Sequence, residues 1–391
     1  MAKTNLASAV LVIGNGIDKN QNLASSFSDF FNTFRTQDGE KFEGKKIRSN
    51  IWYVFFLFRF FVKSDSVYIP KVDENDPRWF DIEGFIADIL NSHRPEERNH
   101  LLQDVQLLLA QGGQPDAINP FYSNSTESII YDQYPELASS INEIMASNKR
   151  KYHPRIGVFE FLFLELKRFE DDFCDYLEKA VLAKSDFDQE YSRRINWFSH
   201  DLGGQKIFVL NFNYTQVKTP TSEIDTEIHP HGTLENKDII IGIDNNDVRP
   251  TNGQKENTVL AMRRFTKAWR KAQIQQNSQP IPDKAQVRAL AFYGLSLGRP
   301  DYSYYQALFD YYEVYDSDIK LVFYYSIYDS TKRTEIQTSY LDAVLSLLYD
   351  YASHNLKDRE STSFVSKLQL EGRLEIKEAA FELAEHREAK R

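Results

Sequence analysis

Cysteine is nearly missing from this chain: Cys174 stands alone among 391 residues. That excludes an intramolecular disulfide and any cysteine-rich zinc site, so no zinc is expected, and it suits a reducing, cytoplasmic setting. Long apolar runs are missing too. The most apolar stretch, IWYVFFLFRFFV (51–62), carries Arg59 and falls short of the roughly 20 residues that span a bilayer. It reads as a buried core helix, with a membrane-surface or partner-binding segment as the alternative. The opening MAKTNLASAV has no apolar run of leader type, so no secretory signal is expected. Positive charge is in deficit. A net charge of −10 argues against broad binding to a polyanion and leaves room only for a local basic groove. Internal repeats and low-complexity tracts are absent. One further absence is local. AVLVIGNGIDKN (9–20) supplies Gly14 and Gly16, but Lys19 stands where a G-x-G-x-x-G fingerprint would place its third glycine.

What is present suffices for a large core: 41% apolar and 14% aromatic residues. The length favours two units, or one domain with a large insertion. Residues 9–13 form a short continuous apolar run, as in a strand covered on both faces. Phe27, Phe30, Phe31 and Phe34 then recur at helical spacing. Strand, glycine turn and helix open an α/β fold with a mostly parallel sheet. Residues 1–39 and 151–353 read as an α/β nucleotide-binding core, 40–150 as a mostly helical insertion and 354–391 as a charged C-terminal segment. Within the core, VFEFLFLELKRFEDDFCDYLEKAVLA (158–183) predicts a long amphipathic helix. KIFVLNFNYT (206–215), RALAFYGLSLGRPD (288–301) and IKLVFYYSIY (319–328) predict buried strands, EIHPHGTLENKDIIIGID (227–244) two short ones around a turn, and NTVLAMRRFTKAWRKAQIQQ (257–276) one basic helix.

Three of these strands end in small or polar residues: Gly14-Asn15-Gly16, Asn213-Tyr214-Thr215, and Gly294-Leu295-Ser296. In an open parallel sheet, ligands bind beyond the carboxyl ends of the strands. Glycine lets backbone N–H groups approach phosphate, and Asn and Ser suit ribose hydroxyls. The set therefore describes one rim of a nucleotide crevice, against the plainer reading of three turns. Asp18 is either a helix cap or a ligand contact. His229 and His231 of HPHG, two residues apart, would share a strand face. They read as surface or core imidazoles, as metal ligands with Asp225, Glu227 or Asp244, or as a general base. Gly232 would leave room for a substrate. Asn213 either closes a turn or orients a sugar or a water. Arg263, Arg264, Lys267, Arg270 and Lys271 form a solvated face or a lid for ligand phosphates.

The order of motifs resembles the AbiH family of bacterial abortive-infection proteins. The resemblance rests on VLVIGNGIDKNQNLASSFSDFF, WFDIE, FEDDFCDYL, NFNYT, IHPHGTLENKDIIIGID and FYGLSLGRPD, which follow in consistent order along nearly the whole chain. Ile17 stands where the family favours Phe, and Leu295 where it favours His. The same order is distantly similar to sirtuin-like domains, whose glycine loop, Asn, His-Gly and final serine loop hold NAD. That similarity implies a Rossmann-like, sirtuin-like fold with Gly14, Asn15, Gly16 and Asp18 at the nucleotide. Asn213 would orient the nicotinamide ribose, His231 would act as its base, and Thr215, Gly294 and Ser296 would complete the cofactor site. Thr215 departs from the sirtuin Asp, and no zinc ribbon is present.

The resemblance implies an anti-phage effector that hydrolyses the N-glycosidic bond of NAD or a related nucleotide. The competing reading is a non-catalytic nucleotide-sensing or protein-interaction module. Its partners would be a small nucleotide, a phage protein as trigger and a second copy of the chain. A nuclease built on Asp244 and Asp247 is the thinner third reading.

Overall fold

The structure is a computed structural model and describes residues 9–35, 44–60, 81–91, 105–106, 109, 143–144, 146, 156–204, 206–217, 221–249, 256–274 and 280–381. It is mixed α/β and divides into two compact units. One comprises Met1–Ser26, Leu177–Ile239 and Ile274–Arg391, the other Phe27–Tyr176 and Ile240–Gln273. The second unit contains the whole of the 40–150 stretch read from the sequence as an insertion, together with 27–39, 151–176 and 240–273.

The first unit contains the sheet. Its strands are β1 (Ala9–Ile13), β2 (Ile207–Asn211), β3 (Ile224–Ile228), β4 (Ala289–Tyr293), β5 (Lys320–Tyr325) and β6 (Leu374–Glu378). All pairings are parallel, in the order β3-β2-β1-β4-β5-β6. Side chains alternate across a strand, and here both faces are covered. Val10, Val12, Phe292 and Phe323 pack with Tyr305, Phe309, Leu348 and Phe364 on one side. Leu11, Ile13, Val209 and Ala291 pack with Phe187, Tyr191, Ile195 and Phe198 on the other. Double coverage explains why β1, β2 and β4 are apolar without alternation. Each large side chain buried in this way contributes roughly 1.5–3 kcal/mol.

Two expectations change within this unit. Only β3 forms from 227–244, because the described chain leaves the sheet at His229. The segment 354–391 is more than a charged tail: Asp358–Leu370 is helical, and β6 closes the sheet edge beside β5.

The second unit is held by aromatic rings. Phe30 lies 5.4 Å from Phe173, and Phe27 stacks on Phe173 at 4.6 Å. Phe34 meets Tyr53 edge-on at 4.9 Å. This explains the boundary at Phe27: its aromatic helix face packs on Val158–Ala183 and on the buried part of Ile51–Phe60. The expected basic helix is two, Glu256–Arg263 and Lys267–Gln273. Between them the backbone pairs with Ile243, whose N–H donates to the Phe265 carbonyl at 3.0 Å. Lys267 and Arg270 are neither a solvated face nor a lid. Both are buried, Lys267 on Glu83 at 2.7 Å and Arg270 on Glu170 at 2.5 Å. Much of 40–150, including DVQLLLAQ, lies outside the described residues. No helix among the described residues is long and apolar enough to cross a membrane.

In the sheet, Ile13 is level with Asn211 of β2 and Tyr293 of β4. The loops after β1 and β4 therefore meet edge to edge. The Gly14 N–H donates to the Tyr293 carbonyl at 3.0 Å and the Gly16 N–H to the Gly294 carbonyl at 2.9 Å. Gly294 has φ +68°, and a methyl there would lie 2.7 Å from the Gly16 Cα. Gly294→Ala therefore combines left-handed strain with overpacking, about 2–4 kcal/mol together. Urea unfolding of the variant should show a loss of that size, and unchanged stability would refute the backbone seat.

Candidate functional site

The strand order reverses beside β1, between β2 and β4, and the predicted residues gather at that end of the sheet. Asn213 follows β2 and is buried. Its side-chain amide donates to the Gly14 carbonyl at 3.0 Å, and its N–H donates to Asn211 Oδ1 at 2.9 Å. Thr215 is buried and donates its hydroxyl to Asp18 Oδ2 at 2.8 Å. Asn15 accepts from the Ser25 hydroxyl at 2.5 Å. Ser296 is exposed, and its oxygen accepts from the Gly298 N–H at 3.3 Å. Lys19, at the place a third glycine would fill, is exposed.

The glycines differ most from expectation. Phosphate was to be met by their N–H groups, but those of Gly14 and Gly16 are committed to β4 carbonyls, and the helix they open has only four residues. They are glycines because a methyl on Gly14 would lie 2.7 Å from the Gly294 oxygen. Gly232 likewise serves its turn. It has φ +79°, and a Cβ would come within 2.7 Å of the Asp238 carbonyl carbon.

The two histidines separate, because β3 ends at Ile228 and they do not share a strand face. His229 Nδ1 sits 3.0 Å from the Asn213 carbonyl, and its Nε2 3.4 Å from Glu227 Oε1. The same Glu227 oxygen accepts from the Tyr191 hydroxyl and the Asn211 amide, both at 2.7 Å. Burial pushes the Glu227 carboxyl up, but these donors and His229 outweigh it and hold it low. His231 is buried with Nε2 3.2 Å from Asp301 Oδ1. Its ring meets Phe212 edge-on at 5.0 Å and Tyr304 at 5.9 Å.

Asp18 is the unusual carboxyl. It is buried, and Oδ1 has no hydrogen-bond partner among the described residues. Burial raises it to about 7 against the downward pull of the Thr215 and Ser25 hydroxyls and of His229. Three residues on, in the turn that follows that helix, Gln21 is buried, and its side-chain amide atoms have no hydrogen-bond partner among the described residues. Most buried polar atoms find partners, so the unmatched Asp18 oxygen and Gln21 amide are unusual. Gln21 carried no motif signal and was missed. Asp301 was also missed, although it ends the GLSLGRPD stretch. Arg194, buried on helix Phe187–Asp201, escaped notice as well; it donates to the Asn20 carbonyl at 2.7 Å. Among the described residues no group of three His, Cys, Asp or Glu side chains is placed to hold a metal. Asp244 belongs to the second unit and caps the short turn Asn245–Asp247.

The profile of the family described as Bacteriophage abortive infection AbiH matches residues 10–325. The chain belongs to the AbiH family. Membership implies a role in abortive infection. The match runs from β1 to the last residue of β5, so β6 lies beyond it. No curated protein and no solved structure matches the chain.

Asp18 sets a pH dependence for this AbiH protein. Its folded-state value lies above its ordinary 3.8, so the folded chain retains the proton from about pH 4 to 7. Stability therefore falls as pH rises through that window. Asp18→Asn keeps an acceptor for Thr215 and cannot ionise. Its advantage over wild type in urea unfolding should grow across pH 4–7, at up to about 1.4 kcal/mol per pH unit, then level off. Parallel stability curves would rule this out.

Proposed function

We propose that this AbiH protein is an abortive-infection effector that binds NAD or a related nucleotide beyond β1 and β4 and hydrolyses its N-glycosidic bond to nicotinamide. The observation that carries the reading is the buried, unpartnered pair of Asp18 Oδ1 and the Gln21 amide at the point where the strand order reverses. The order 3-2-1-4-5-6 is that of doubly wound dinucleotide-binding folds, whose ligands lie at this reversal. It supports a Rossmann-like, sirtuin-like assignment. Asn15 and Ser296 lie at the more accessible rim and suit ribose or phosphate oxygens. With the Gly14 and Gly16 N–H groups engaged, the pyrophosphate must rest on other donors. Departure of neutral nicotinamide leaves an oxocarbenium-like ribose, which asks for a placed water and a proton acceptor more than for a strong nucleophile. His231 is that acceptor.

The sensing alternative has one observation in its favour. The Asn213 amide is tied to the Gly14 carbonyl, as a scaffold residue would be. The two readings separate in one experiment on the purified chain, in the presence and absence of phage lysate. Incubation with NAD should release nicotinamide, and His231→Ala should lower the rate by about 10²–10⁴-fold. Binding without release, with phage protection surviving His231→Ala, would establish the sensor instead. Gln21→Leu reports on the pocket itself. Removing an unpartnered amide should leave the unliganded melting temperature unchanged or higher, while abolishing the upward shift caused by NAD. A retained shift would exclude Gln21 from the ligand site.

A further inference from the structure

Asp18 lies in the short helix Gly16–Lys19 that follows β1, and Gln21 stands just past its end. The turn between them is held from several directions. The Thr215 hydroxyl donates to Asp18 Oδ2 at 2.8 Å, and the Gln21 N–H donates to the Asp18 carbonyl at 3.0 Å. The Asn20 amide donates to the Tyr293 hydroxyl and, at 2.8 Å, to the Ser326 hydroxyl. The Asn20 carbonyl accepts from Arg194 Nη2 at 2.7 Å. All of these residues belong to the first unit. Within that ordered frame three polar atoms differ from the rest. Asp18 Oδ1 and both side-chain amide atoms of Gln21 are closed to solvent without a hydrogen-bond partner among the described residues, on side chains 1% and 3% exposed. Leaving such atoms bare costs as much as the bonds they forgo.

Their chemistry says what would satisfy them. A phosphate asks for cations or for a row of N–H donors. The N–H groups of Gly14 and Gly16 are engaged by carbonyls. Arg194 places Nη1 on Glu190 Oε2 at 2.7 Å, and its guanidinium lies 5.3 Å from the Phe381 ring. A carboxyl beside the turn repels an anion once it ionises. A primary amide, by contrast, offers an N–H donor next to a carbonyl acceptor. Burial pushes Asp18 up to about 7, so below neutral pH it holds a proton and donates as well as accepts. The complement of these groups is neutral and planar, with a donor and an acceptor side by side.

We propose that Asp18 and Gln21 read an amide-type edge of the nucleotide, an N–H donor next to an acceptor, and that its phosphates bind away from this turn. The assignment rests on the reading of this chain as a nucleotide binder and names the part of the ligand that the buried groups meet. It reverses the expectation drawn from the glycines, which placed phosphate at this loop. Two parts of NAD carry such an edge: the carboxamide of nicotinamide, and adenine with its amino group beside a ring nitrogen. Both are neutral, so neither opposes the Asp18 carboxyl. A ligand that supplies this edge removes the cost of three bare atoms, and one that lacks it leaves them bare, which is how a buried polar site discriminates.

The test is titration calorimetry on the full chain with NAD, two of its analogues and inorganic pyrophosphate. The acetylpyridine analogue replaces the carboxamide amino group by a methyl. The hypoxanthine analogue replaces the adenine amino group by a carbonyl. One of the two should bind wild type about 10-fold or more weakly than NAD, and which one it is identifies the edge that is read. In Gln21→Met, close in size but without the amide, that gap should shrink toward none, while the response to pyrophosphate stays as in wild type. The unliganded variant should melt at or above the wild-type temperature, which separates lost recognition from a lost fold. Equal binding of all three dinucleotides to wild type overturns the inference, and is the result an internal water on Gln21 would give. A gap that persists in Gln21→Met, or a pyrophosphate affinity that falls with that substitution, overturns it too. If wild type binds none of the dinucleotides, the nucleotide reading itself fails and takes this inference with it.

Discussion

The backbone of the β1 loop lies directly against that of the β4 loop, and the rest of the site depends on that contact. Gly14 and Gly16 donate to the consecutive Tyr293 and Gly294 carbonyls, and Gly294 adopts a left-handed conformation. Side chains are excluded at all three positions by distance alone. Main chain against main chain has no rotamers to relax, so the two loops form a stiff floor. The candidate residues are hung from it. Asn213 is tied to the Gly14 carbonyl, Asp18 hangs from the short helix that Gly16 opens, and Asp301 ends the loop that Gly294 begins.

Above this floor the polar groups fall into two classes. Glu227, Tyr191, Asn211 and His229 satisfy one another, and the donors keep the buried Glu227 ionised. Asp18 and Gln21 are not satisfied, and burial drives Asp18 toward its neutral form. A low local dielectric acts on both classes. It strengthens the first network and makes the second costly to leave bare. A structural role accounts well for the first. No structural role among the described residues accounts for the second.

The sheet was legible because a strand covered on both faces must be largely apolar, as β1, β2, β4 and β5 are. The convergence of Gly14, Asn213 and Gly294 followed from parallel strands ending level. What the glycines were for was not legible. A glycine that admits a phosphate and one that admits another backbone look identical in sequence, and only Gly294, far along the chain, distinguishes them. The histidine pair failed for a related reason: the i, i+2 rule holds only while the strand lasts, and β3 stops one residue too soon. Gln21 and Asp301 carried no pattern because their roles come from burial and from a partner distant in sequence. The basic helix misled because charge counts do not reveal that Lys267 and Arg270 have buried carboxylate partners.

The family match ends where β5 ends, while the sheet does not. β6 pairs with β5 from Leu321 to Tyr325 and is preceded by a helix whose Phe364 and Leu368 join the core. Without it, β5 would present an open edge next to the loop carrying Ser326, which receives the Asn20 amide. That amide also reaches the Tyr293 hydroxyl, so the β5 end is wired to the turn that bears Asp18 and Gln21. An element outside the family's shared span therefore supports the floor under the site. The candidate residues sit on the strands and loops of the matched span, while the sheet edge beside them is closed by a strand beyond it.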